Sequence, residues 1–139
     1  MGFGYGAGAY QQVRSHGGVE SADKHGLITL LMDGALERLV KARAHMMRGE
    51  TGPKGETISR CIEILGGLRD ALDRKADPTL VDRLDSLYEY MSRRLLQANL
   101  RDDAGIIDEV SRLLQQVRDS WVQIGPSPAT APVGRVAGA

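Results

Sequence analysis

Between residues 21 and 124 apolar side chains recur at spacings of three and four, the period of helices that bury one face. In the first run Leu27, Leu31, Ala35, Leu39, Ala42 and Met46 make one stripe; Ile28, Met32, Leu36, Val40 and Met47 make a second, about 100° away. Ser21 and Asp23 can cap its start, and Gly49, Gly52 and Pro53 stop it after Arg48. A second run, from Lys54 to Arg74, carries Ile58, Ile62, Leu65, Leu68 and Leu72, widened by Cys61, Ile64 and Ala71. Asp77 followed by Pro78 is a helix start, because Asp accepts free N–H groups and Pro suits the first helical position. The third run continues to Leu100 through Leu80, Leu84, Leu87, Tyr88, Met91, Leu95 and Ala98, with Val81 and Leu96 beside them. Asp102 or Asp103 caps a fourth, whose broad apolar face holds Ile106, Ile107, Val110, Leu113, Leu114, Val117, Trp121 and Ile124.

No segment alternates with the period of a strand, so the pattern predicts an all-α fold, an antiparallel four-helix bundle. The flanks differ in kind. Glycine at positions 2, 4, 6, 8, 17 and 18, around Phe3, Tyr5 and Tyr10, predicts a flexible N-terminal arm over residues 1–20, with room for a short helix. Residues 125–139 are Gly, Pro, Ser, Thr, Ala and Val without periodicity, and predict a disordered tail after the bundle at 21–124.

A chain of 139 residues, 42% of them hydrophobic, suffices for one domain with a core. Lys plus Arg and Asp plus Glu each number 18, so no net field draws nucleic acid or an anionic membrane, and a partner must be held by shape and apolar contact. Cys61 has no second cysteine to pair with and sits on an apolar face, which fits a core residue in a reducing compartment. Neither a signal peptide nor a membrane span is apparent: the longest apolar stretch, Leu27 to Met32, is broken by Thr29. The expected location is cytoplasmic.

Candidate chemistry is sparse. None of His16, His25 and His45 follows a Glu by three residues, so the di-iron pattern of helical bundles is missing, and no ligands gather around Cys61. The alternating N-terminal glycines lack the Lys-Ser/Thr pair of a phosphate loop. Arg93, Arg94, Arg101 and Arg112 read as surface salt-bridge partners. No enzyme, metal or cofactor is expected. What remains is more apolar helix surface than one face needs, which fits either inner helices buried on several sides or a groove for a partner helix.

The segment Leu87-Tyr88-Glu89-Tyr90-Met91-Ser92-Arg93-Arg94-Leu95-Leu96-Gln97-Ala98-Asn99 resembles the FliS family's Leu-Tyr-x-Tyr-Met-x-Arg-Arg-Leu-x-x-Ala-Asn pattern at every specified position. The likeness continues through Asp103, Ile107, Glu109-Val110, Leu113-Leu114 and Trp121. Upstream it includes Leu31-Met32-Asp33-Gly34-Ala35, similar to the family's Leu-Tyr/Phe-Asp-Gly-Ala, and Ala9-Tyr10. Met32 departs from the usual aromatic, and Ala7 stands where some members carry a larger apolar residue.

The resemblance implies a cytoplasmic flagellar secretion chaperone that binds the disordered C-terminal segment of flagellin, prevents premature polymerisation and presents the client to the export gate protein FlhA. An anti-sigma factor is a further partner consistent with a shared groove. It also implies an N-terminal lid anchored by Tyr10. The partner-binding candidates are Tyr10, Ile28, Met32, Leu36, Val40, Ile62, Leu65, Tyr88, Met91, Leu95, Asn99, Val110 and Leu114. Which of these form groove and which form core stays open at this level, and Asn99 reads more readily as a C-terminal structural cap than as a partner contact. The rival from another class is a self-associating bundle whose surplus stripes pack against a second copy.

Overall fold

The structure, a computed structural model, describes residues 24–125; Tyr10, Ser21, Asp23, the predicted arm and the predicted tail beyond Gly125 lie outside the described residues. Among the described residues there are four helices and no strand: α1 (Lys24–Met47), α2 (Thr51–Asp70), α3 (Pro78–Arg101) and α4 (Ala104–Ile124). They touch in cyclic order, α1 to α2, α2 to α3, α3 to α4 and α4 back to α1, while the diagonal pairs stay apart. This is the expected all-α, antiparallel four-helix bundle.

Local chemistry sets the boundaries. Asp77 Oδ1 accepts from the N–H groups of Thr79 at 3.0 Å and Leu80 at 3.3 Å, so the Asp-Pro start forms as predicted. Of the two candidates before α4, Asp103 is the cap, accepting from Gly105 at 2.9 Å and Ile106 at 3.3 Å. Asp102 instead ends α3 in the left-handed conformation at φ 51°. The α1–α2 link turns at Gly49, whose φ of 71° suits glycine. One boundary differs from expectation at each end of the second helix. It begins at Thr51, because Pro53 falls in the first turn, where its missing N–H removes no helical bond, and it ends at Asp70 rather than Arg74.

The core runs the length of the bundle, with Leu39, Cys61, Leu65, Met91, Leu95, Val110 and Leu114 sealed from solvent. Burial pushes the Cys61 thiol up to about 12, so it is an inert packing group. Polar straps fasten three of the four helix seams from outside. Asp85 of α3 accepts from Arg69 at 2.9 and 3.3 Å; Glu109 of α4 accepts from the Tyr90 hydroxyl at 2.5 Å and Arg94 at 2.9 Å. Arg43 and Asp33 of α1 pair with Asp108 and Arg118 of α4.

Among the described residues one charge is inside. Lys54 is 3% exposed, and its ammonium donates to the Asn99 carbonyl at 3.0 Å and pairs with Asp102. It thereby satisfies a carbonyl that the end of α3 leaves without a helical partner, and ties the start of α2 to the α3–α4 turn.

The hydrogen bond from Arg69 holds the Asp85 carboxyl below its usual range, and the Tyr90 hydroxyl does the same for Glu109. A carboxyl depressed in the folded state stabilises the fold above its unfolded value, and that stabilisation is lost as pH falls through the folded value. The thermal midpoint should therefore hold from neutrality to about pH 5 and fall below about pH 4. The Asp85→Asn/Glu109→Gln double variant should begin with a lower midpoint at neutral pH and show a shallower acid fall, measured by circular dichroism melts.

Candidate functional site

At the end of the bundle where α1 and α3 begin and α2 and α4 finish, the core opens into a cavity of about 600 Å³. Its walls are Ile28 and Met32 of α1, Leu68 of α2, Leu72 just beyond it, Leu80, Leu84 and Tyr88 of α3, and Val117, Trp121 and Ile124 of α4; Lys24, Asp73, Gln116 and Ser120 supply its polar groups. Among the described residues the α2–α3 link, residues 71–77, borders this end: Ala71, Leu72, Asp73 and Ala76 line the cavity, and the charged members Asp73, Arg74, Lys75 and Asp77 are all exposed. Burial pushes the Tyr88 phenol up to about 12, so a neutral hydroxyl belongs to the cavity wall at physiological pH.

On the α1–α4 side His25 and Trp121 bound the cavity. Their rings stack with centroids 4.5 Å apart and planes 12° from parallel. The Trp121 indole donates to the His25 carbonyl at 3.0 Å, and His25 Nε2 donates to the Trp121 carbonyl at 2.5 Å. The second bond fills a vacancy in the helix ladder: the Gly125 N–H reaches back to Val122 at 3.2 Å, leaving the Trp121 carbonyl to a side chain.

Two further apolar surfaces lie on the sides of the bundle. Val40, 70% exposed, and Met47 project beside Arg43, whose guanidinium grips α4, so this ridge borders the α1–α4 seam. Leu96 and Leu100, one turn apart on α3, form a ridge elsewhere, and Leu100 is 84% exposed.

The candidates named from sequence fall into distinct places. Ile28, Met32 and Tyr88 line the cavity. Leu65, Met91, Leu95, Val110 and Leu114 are sealed core, presenting no surface in this conformation. Leu36, Ile62 and Asn99 are half-buried, Val40 is exposed, and Tyr10 lies outside the described residues. The bond from Lys54 lands on the Asn99 backbone carbonyl, not its side chain. Sequence reasoning gave Leu68, Leu72, Leu80, Leu84, Val117, Trp121 and Ile124 to the helix faces without recognising a shared cavity. The available signal was the length and charge of the 71–77 link beside helix-terminal apolar residues.

Aliphatic and aromatic walls with a few polar groups suit the apolar side chains of a partner segment. Among the described residues no three His, Cys, Asp or Glu side chains gather as metal ligands, and no helix is long and apolar enough to cross a membrane.

The family described as Flagellar protein FliS matches residues 6–128. The flagellar secretion chaperone FliSB of Pseudomonas aeruginosa is 48% identical over 112 residues, covering 81% of this chain and 89% of that protein. The flagellar secretion chaperone FliS of Salmonella typhimurium is 45% identical over 119 residues, covering 85% and 88%. The FliS of Bacillus subtilis is 30% identical over 115 residues, covering 83% and 82%.

The split between core and surface candidates is testable by charge insertion. Leu95→Asp buries a carboxylate without a partner and should cost about 4 kcal/mol or more, whereas Val40→Asp should stay within about 1 kcal/mol. Urea unfolding followed by circular dichroism measures both, and a stable Leu95→Asp would refute the placement of Leu95 in the core.

Proposed function

The chain belongs to the FliS family, and from that premise we propose that it is a flagellar secretion chaperone whose client is the C-terminal segment of flagellin. The family is one of chaperones, not enzymes. The observation that carries the reading is the apolar cavity of about 600 Å³ that the described residues enclose at one end of the bundle. A segment without a core of its own gains by seating large apolar side chains there and along the Val40–Met47 or Leu96–Leu100 ridges, and the ordering it undergoes offsets part of that gain.

In this mechanism the bundle covers the part of flagellin that polymerises, in the cytoplasm, and keeps the client from completing its own fold before export. Apolar burial is non-directional, so the complex is stable without demanding a unique client conformation. The covered client is then presented to the export gate protein FlhA, and an anti-sigma factor is a second ligand for the same surface. Tyr10 acts as the anchor of an N-terminal lid that competes with or adjusts to the client. The cavity residues Ile28, Met32 and Tyr88 are the first contacts assigned to the client.

Calorimetric titration of the full chain with a C-terminal flagellin peptide of about 40 residues should give one-to-one binding, favourable enthalpy opposed by ordering entropy, and a negative heat-capacity change. Tyr10→Ala should keep the helical signal and alter the affinity. No heat, together with a stable homodimer in gel filtration, would replace the chaperone reading by self-association.

A further inference from the structure

We propose that the His25–Trp121 clasp is a strap that closes the cavity on its α1–α4 side and releases when a client segment seats; the inference rests on the client-binding reading above. The clasp joins the first turn of α1 to the last turn of α4, through one ring stack and two reciprocal bonds onto backbone carbonyls. The next ion pair between these helices is Asp33 with Arg118, about two turns along α1.

Among the described residues the end of α4 is lightly packed. Its last fully buried side chain is Leu114, Val117 and Trp121 are only partly buried against the core, and Val122 and Ile124 are exposed. The terminal turns thus depend on each other, each supplying the other's partner, and helix ends with few buried contacts open locally at low cost. Both rings are also cavity wall, so parting them enlarges the space available to an incoming chain and joins it to the α1–α4 seam. A strap of this kind costs the complex the free energy of opening it, whereas a fixed wall would contribute contact to the client. The two roles therefore predict opposite signs when the strap is weakened.

His25→Phe and Trp121→Phe each keep an aromatic ring in the wall and remove one hydrogen-bond donor. Titrated by calorimetry with a tryptophan-free C-terminal flagellin peptide, both should bind about fivefold tighter than the parent chain, the scale of one net hydrogen bond no longer broken on binding. Equal or weaker affinity in a folded variant overturns the strap and makes the rings a fixed wall. Trp121 is the only tryptophan, so its emission in the unmodified chain gives a second reading. Loss of the stacked imidazole should change that emission in step with the binding heat, and this decides the matter if circular dichroism finds either variant unfolded. Heat with unaltered emission would then sink the strap alone, while absence of heat from the parent chain would remove the client-binding reading and the strap together.

Discussion

The helices are of similar length, 20 to 24 residues, but their connections are not, and that inequality decides where the bundle has apolar surface to spare. At one end residues 48–50 join α1 to α2, and Asp102 with Asp103 joins α3 to α4, so the helix ends are drawn together. The buried ammonium of Lys54 completes that closure by bonding the Asn99 carbonyl. At the other end the 71–77 link is long and charged, and Leu68, Leu72, Leu80 and Leu84 face a space that none of the four described helices fills. A cavity confined to one end is therefore a consequence of loop chemistry acting on helices whose apolar faces continue to their tips.

The division of labour between polar and apolar contacts follows from this. Arg43–Asp108, Asp33–Arg118, Arg69–Asp85 and Arg94–Glu109 sit at the outer edges of helix seams, at least partly in water, where each contributes little to stability but fixes which helices are neighbours. Apolar burial inside supplies the driving force. Lys54 is the exception, because its charge has left water and its two partners are needed to offset that desolvation. The same logic separates the closed end, organised around one satisfied charge, from the open end, where the described link between α1 and α4 is the His25–Trp121 stack with its two hydrogen bonds.

The type of the four described helices and the starts of α3 and α4 were legible in the sequence because they rest on local rules: the three-four spacing, Asp77 before Pro78, and an Asp before α4. The second helix was misplaced at its start because Gly52 and Pro53 read as breakers, although Pro is tolerated wherever a helical N–H has no partner. The stripe Ile28, Met32, Leu36, Val40 was legible as apolar but not as groove. A row at intervals of four advances about 40° around the helix at each step, so it passes from core to solvent over three steps. Ile28 and Met32 are accordingly buried, Leu36 is half-buried and Val40 is exposed. Leu65, Met91, Leu95, Val110 and Leu114 lie on faces that stay directed inward, and only the packing of all four helices separates such residues from the surface ones. The cavity itself combines helix tips distant in sequence, which no single periodic window contains.

Client recognition on such a surface has to be tolerant. The chain carries no net charge, and its interhelical ion pairs already commit many of the acidic and basic groups near the seams to one another. Little directional chemistry is left on the cavity wall beyond the Tyr88 hydroxyl and the groups contributed by Lys24, Asp73, Gln116 and Ser120. Affinity then comes from apolar area removed from water, which depends on the number and size of side chains seated and weakly on their order. On the proposed reading specificity arises from spacing, because the cavity and the side ridges stand at set positions along the helices and a client gains from both only if its apolar clusters are separated by the matching length of chain. A flexible segment that meets this spacing can be held without being folded into one conformation, which is the physical state that passage through an export apparatus requires.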